Sequence, residues 1–219
     1  NYHEKGYYKN LIKIGLPISA AILVEFVAFN IIAVVMGRVA GVYAAAQNLV
    51  CTLTTVSFMV PLAISNAIAV KVGFANGARN YSDLKQFAKI GTLICIGFMA
   101  CSAIVFLSIP EFLIKLFTKD KNLITICIPI LCLIAGFQVF DGLQVALSGI
   151  YKGIKKTKIV LVSNFVAYWL ISLPLGFMLA FKFNFGLIGF WYGLLISSII
   201  LCTIMLVMLV RYFRNYKTE

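Results

Sequence analysis

"LITICIPILCLIAGFQVFDGLQVALSG", residues 123–149, contains a single charged side chain, Asp141. As a helix rising 1.5 Å per residue, such a run is longer than the roughly 30 Å hydrocarbon layer of a bilayer. Five further apolar runs have comparable length, at about 11–36, 44–70, 88–109, 159–181 and 187–210. The sequence therefore predicts an all-α integral membrane protein of six transmembrane helices. Short polar breaks separate the runs, and none alternates with the roughly ten-residue strand period of a membrane barrel. Composition agrees: 62% of the 219 residues are hydrophobic and 12% are charged, with a mean hydropathy of +1.01, far from the balance of soluble domains. The boundaries read as a polar segment at 1–10, a six-helix membrane unit at 11–210 and a basic tail at 211–219.

The formal net charge is +12. Its distribution argues for topology rather than nucleic-acid binding. Lys5, Lys9, Lys13, Lys71, Arg79, Lys85, Lys89, Lys152, Lys155, Lys156, Lys158, Arg211, Arg214 and Lys217 fall at the two ends and in the breaks after the second and fourth runs. The other side has Arg38, Lys115, Lys119, Lys121 and Lys182. By the positive-inside rule both termini are expected in the cytoplasm, in an inner (cytoplasmic) membrane of bacterial type. A nucleic-acid partner would need a soluble basic face with interleaved aromatics, for which the sequence has no room.

Cys51, Cys95, Cys101, Cys127, Cys132 and Cys202 all lie within apolar runs without CxxC spacing, and read as packing residues. The sole histidine, His3, is in the N-terminal segment, and no HExxH or GxSxG frame occurs, so no enzyme is expected. The opening "NYHEKGYYKN" leads into a run too long for the core of a signal peptide. The first residue is Asn rather than Met, which fits a processed product or a piece of a longer chain. Pro17 belongs near the first turn of its helix, whereas Pro61, Pro129 and Pro174 interrupt spans and read as kinks or hinges. The GxxxG of "GLIGFWYG" (186–193) is expected to pack within the bundle. Trp169, Trp191, Tyr151, Tyr168, Tyr192 and Tyr212 read for the most part as anchors at the membrane interface.

Seven residues are acidic, and two of them fall inside spans: Glu25, in "ILVEFVAFN", and Asp141. A charged carboxylate facing lipid costs about 2.5–3.5 kcal/mol on an insertion scale, so both are expected to face inward. Apart from Lys13, at the very start of the first run and about three turns from Glu25, no Lys or Arg lies within either apolar run to pair with them. Desolvation and mutual repulsion disfavour two bare carboxylates, and a proton or a small hard cation such as Na⁺ relieves both. The alternative is that each acid is simply hydrogen-bonded to its neighbours. Helical spacing adds Phe29, one turn beyond Glu25, and Phe137, Gln138 and Gln144 around Asp141, as candidate cavity lining. Gln47, with Asn48 and Asn66, contributes polar atoms to the second run, either to the cavity or to interhelical hydrogen bonds. Aromatic walls with few polar groups suit a broad, apolar, often cationic ligand.

Six blocks, in order, carry a likeness to a family: "LIKIGLPIS" (11–19), "VEF" (24–26), "AAAQNL" (44–49), "FMVPLAISNAIAVKVGFANGA" (58–78), "GLQVALSGIYKGIKKTK" (142–158) and "YWLISLPLGF" (168–177). Together they resemble the C-terminal half of a multidrug and toxic compound extrusion (MATE) transporter of the NorM-type branch. The resemblance implies one six-helix lobe of a twelve-helix antiporter that exports drug-like organic cations in exchange for Na⁺ or H⁺. It implies no resident cofactor, with membrane lipid and an N-terminal six-helix lobe as partners and residues 1–10 as the linker between lobes. It also implies that Glu25 and Asp141 bind the coupling cation, Na⁺ being the possible metal. Two departures stand out. Phe137 replaces a tyrosine such proteins offer one turn before the second acid, and "IYKGIKKT" has Lys152 and Lys156 where Arg and Asp are usual. A lipid-linked precursor flippase of the same superfamily is the nearest alternative and would favour cations in its cavity; a non-transporting membrane fragment is the other.

Overall fold

The computed structural model describes residues 4–215, with side chains at Tyr8 and from Leu11 to Arg214. The side chains of His3, Glu4, Lys5, Lys9, Lys217 and Glu219, assigned above to the polar ends, lie outside the described residues. The chain runs through α1 (Glu4–Val39), α2 (Gly41–Gly77), α3 (Tyr81–Ser108), α4 (Pro110–Lys115), α5 (Lys121–Gly153), α6 (Thr157–Phe165), α7 (Leu173–Phe177) and α8 (Leu187–Asn215). A π-helical stretch, Val166–Ser172, joins α6 to α7, and a second, Met178–Lys182, continues α7, so that the whole forms one continuous span. Among the described residues, six helical segments are long and apolar enough to cross a membrane, one for each apolar run.

The helices are longer than the runs. α2 continues to Gly77 instead of ending near residue 70, and α3 begins at Tyr81 instead of near 88. Lysines at these ends lay their methylene stems on apolar surface while the ammonium reaches the polar boundary, so the backbone keeps its helical hydrogen bonds. Lys71 and Lys85 lie over the rings of Phe87 and Phe213 in this way. Asn80 closes the intervening turn: its side chain accepts from the Asp83 backbone N–H at 3.2 Å. The short α4 was not expected, although its signals are present in Pro110 at the first turn and a Glu111–Lys115 ion pair at 2.6 Å.

α5 is the most enclosed span, packed among α2, α3 and α8. Its nearly uniform apolar character in the first four turns follows from this position, because the faces it does not bury against other helices are turned to lipid rather than water. α1 leans on α2 and α6, and α8 packs on α5 and on the α6–α7 span. The second of these contacts uses the GxxxG: a Cβ on Gly193 would meet Ser172 O at 2.8 Å, and one on Gly189 would meet Ala180 N at 2.6 Å. The motif is thus spent inside the bundle.

The helices pass through Pro17, Pro61 and Pro129 without changing type, whereas the span around Pro174 widens to π geometry on both sides. Proline removes an N–H and crowds the carbonyl one turn earlier, and π turns are a way to absorb that. All six cysteines are free thiols.

The aromatic anchors are partly a misreading. Tyr151, Tyr168 and Trp191 are fully buried, and their polar tips are used inside the bundle. The Tyr151 hydroxyl donates to Met205 O at 2.7 Å, and Trp191 Nε1–H donates to Gln47 Oε1 at 3.0 Å. Tyr192 does remain exposed, and Trp169 is half-buried with its N–H on Val24 O.

Candidate functional site

α1, α2, α5, α6 and α8 together enclose a cavity of about 780 Å³ that opens on one side of the bundle. From α5 it is lined by a stripe at helical spacing: Phe137, Asp141, Gln144, Val145, Ser148 and Lys152. α1 contributes Glu25 and Phe29, α2 contributes Gln47, Asn48, Cys51 and Ser65, α6 contributes Val160 and Asn164, and α8 contributes Trp191.

The two membrane acids thus line the same cavity from different helices. Asp141 is 3% exposed and receives no hydrogen bond from a described residue. Glu25 is half-buried and is held by the Tyr168 hydroxyl, which donates to Glu25 Oε1 at 3.1 Å. The same Tyr168 oxygen accepts from Gln144 Nε2 at 3.3 Å. Gln144 is three residues from Asp141, so a chain of hydrogen bonds, Gln144 to Tyr168 to Glu25, ties α5 to the π-helical stretch and to α1. Among the described residues no ion pair neutralises either acid, and no third His, Cys or acidic side chain completes a metal cluster with them. A cation held here would draw its further oxygens from neutral groups such as the Tyr168 hydroxyl, the Gln144 amide or water.

An aromatic wall stands beside the acids. Phe29 lies 5.9 Å from Trp191 and 6.2 Å from Tyr168, and Phe137 meets Trp191 edge-on at 5.9 Å. The Trp191–Gln47 bond fixes the indole, and Gln47 passes its own Nε2–H to Cys51 Sγ at 3.3 Å.

Of the lining residues expected from spacing, Phe29, Gln47, Phe137 and Gln144 face the cavity, and Gln138 does not. Gln138 falls just past the edge of the α5 stripe, towards the side where Gly142 packs on Met99 and Cys95 of α3. It is completely buried, and both its Nε2 and its Oε1 are without a partner. Asn48 joins the lining, whereas Asn66 is exposed and stays out of it.

The cavity also corrects the placing of Lys152 in the break after the fourth run. Lys152 lies in the last turn of α5, which outruns its apolar sequence, and lines the same cavity as the acids. Tyr168, Asn164 and Trp191 were not anticipated at the site either. Residue counting would have found Tyr168: nine residues into the run 159–181, it is nearer the middle of the span than either end.

The sequence model of MatE matches residues 17–178. This chain belongs to the MatE family. Among curated proteins it is 34% identical over 192 residues to the "Probable multidrug resistance protein NorM" of Mesorhizobium japonicum, covering 85% of this chain and 41% of that protein. The protein of the same description from Agrobacterium fabrum is 32% identical over 216 residues, covering 95% of this chain and 46% of the relative. Among solved structures, the eukaryotic MATE transporter AtDTX14 superposes with a TM-score of 0.88 at 18% identity, over 96% of this chain and 48% of that one. A MATE in the bent conformation gives 0.90 at 18% identity, over 100% and 48%. The chain spans about half the length of the relatives it matches, and its fold is that of six helices of a MATE transporter.

Proposed function

We propose that this chain works as one six-helix lobe of a secondary antiporter that exports drug-like, often cationic compounds in exchange for Na⁺ or H⁺, with the coupling cation bound at Glu25 and Asp141. The single observation that carries this reading is that two intramembrane acids from separate helices line one cavity with no ion-pair partner among the described residues. Such a pair binds a proton or a hard cation because either relieves the cost of buried negative charge. The neutral oxygens of Tyr168 and Gln144 suit Na⁺ in spite of phenylalanine at 137, and the same hydrogen-bond chain suits a proton. The aromatic wall of Phe29, Phe137 and Trp191 suits the flat, apolar body of an organic cation.

Cation entry from outside biases the transporter towards the state that releases drug. The bias equals the difference in cation affinity between the two access states, so a tenfold shift takes about 1.4 kcal/mol. The open side of the cavity, with apolar residues such as Phe26, Val56 and Met59 exposed beside it, is the face for a second six-helix lobe; the doubled length of the relatives supports this. The fourteen-to-five division of basic residues supports an inner membrane with both ends in the cytoplasm. The lipid-linked precursor alternative gains one cavity cation in Lys152, yet a pyrophosphate would share the cavity with two acids.

The test is transport by the two-lobe protein in proteoliposomes with Na⁺ and H⁺ gradients imposed separately. Glu25→Gln combined with Asp141→Asn should abolish gradient-driven efflux; retained efflux removes these acids from coupling.

A further inference from the structure

The end of the cavity away from the acids has a character of its own. Successive turns of α5 present Gln144, Ser148 and Lys152, while the antiparallel α6 span runs Tyr168, Asn164 and Val160 in the matching order. The Tyr168–Gln144 hydrogen bond sets this register. Counting one helical turn along each helix from that bond brings Ser148 and Asn164 into register, and a second turn brings Lys152 and Val160; all four line the cavity. Asn164 is 4% exposed, lines the cavity, and its Oδ1 has no hydrogen-bond partner. Lys152 is half-buried and is paired with no acid among the described residues. A half-buried ammonium without a counter-ion and a buried amide without a partner, both facing one space, are unfilled recognition groups.

From this we infer that the Lys152 end of the cavity is an anion subsite, which takes the carboxylate of a zwitterionic amphiphile whose cationic aromatic part lies against Phe29 and Trp191 near the acids. The inference deepens the transport reading and rests on it. Lys152 supplies the charge, the Ser148 hydroxyl a further donor, and Asn164 an amide for a neighbouring N–H or O–H of the ligand. Eleven residues separate Asp141 from Lys152, about 16 Å along the helix. Side-chain reach shortens this to a charge separation on the order of 10 Å, within the size of a drug-like molecule.

The experiment is equilibrium binding, by fluorescence anisotropy and without any ion gradient, to the two-lobe transporter in phosphatidylcholine nanodiscs. The probes are a rhodamine with a free carboxylate and the ethyl ester of the same dye. Lys152→Gln should weaken the carboxylate dye about tenfold and leave the ester within twofold, as expected for loss of one charge-assisted contact. Lys152→Arg should restore most of the difference. Ester binding reports that each variant is folded. Equal effects on both dyes, or none, overturn the subsite while leaving the transport reading intact. Failure of both dyes to bind the unaltered protein overturns both readings. If phosphatidylglycerol added to the nanodisc removes the advantage of the carboxylate dye, the anion seated there is a lipid headgroup and the zwitterion assignment falls.

Discussion

The Tyr168 hydroxyl and the Glu25 carboxylate, 143 positions apart in sequence, meet at 3.1 Å and join a π-helical stretch of the fifth span to the middle of the first. A π turn shifts the facing of the residues within it, and such turns concentrate at functional sites. Here the widened segment before Pro174 carries the one phenol, among the described residues, that reaches an intramembrane acid.

Tyr168→Phe keeps the ring and deletes that bond. A hydrogen bond to a charged group contributes about 1.5–3 kcal/mol, so the affinity for the coupling cation should change by tenfold or more while drug binding at the aromatic wall changes little. Isothermal titration with the coupling ion, beside dye binding on the same preparation, separates the two effects. An unchanged ion affinity would make the contact structural only.

Gln138 leads to the opposite expectation. Both its amide atoms are buried without partners and it stands outside the cavity. An unsatisfied buried polar group costs about 1–3 kcal/mol, and an apolar side chain of similar volume removes that cost. Gln138→Met should raise the thermal midpoint of the detergent-solubilised transporter and leave ligand affinity as it was. A lowered midpoint would mean that the amide has a partner, such as an ordered water, that the variant loses.

Gly193 tests the packing. Its missing Cβ is what lets α8 lie against Ser172 O and Gly176 N, at 2.8 and 2.9 Å from where that carbon would stand. Both neighbours are backbone and cannot rotate away. Gly193→Val should therefore destabilise the lobe by about 1–3 kcal/mol, read as a lower thermal midpoint, whereas Gly97→Ala, where the added carbon meets nothing, should be neutral by comparison.

Most of the fold was legible because membrane insertion writes itself in long apolar runs, and a carboxylate inside such a run has few structural excuses. Glu25 and Asp141 stood out from composition alone, and helical spacing brought Phe29, Phe137 and Gln144 with them. Gln138 shows the limit of that spacing: three residues from Asp141 is also the border of the stripe, and only the packing of Gly142 against α3 decides which side is which. Lys152 was misplaced because apolar runs mark where lipid touches a helix, not where its hydrogen bonds stop. Tyr151, Tyr168 and Trp191 were misread because an amphipathic ring is equally at home at an interface and in a core that offers its polar tip a partner.

The two acids differ in support, and this predicts different consequences of neutralising them. Asp141 receives no hydrogen bond from a described residue, so Asp141→Asn removes charge without orphaning a described neighbour; in Glu25→Gln the remaining carbonyl oxygen still accepts from Tyr168. Both variants should fold, with thermal midpoints at or above that of the unaltered transporter, because each relieves a buried negative charge. A ligand that binds only the native state stabilises it by RT ln(1 + [L]/Kd), about 2.7 kcal/mol at a hundredfold excess over Kd. The coupling ion should accordingly raise the midpoint of the unaltered protein and lose most of that effect in either variant. Titrating Na⁺ at fixed pH, and pH at fixed Na⁺, in the same thermal assay identifies the ion. A full ion-dependent rise surviving in Asp141→Asn would locate the cation elsewhere in the transporter and leave Asp141 a polar packing residue of α5.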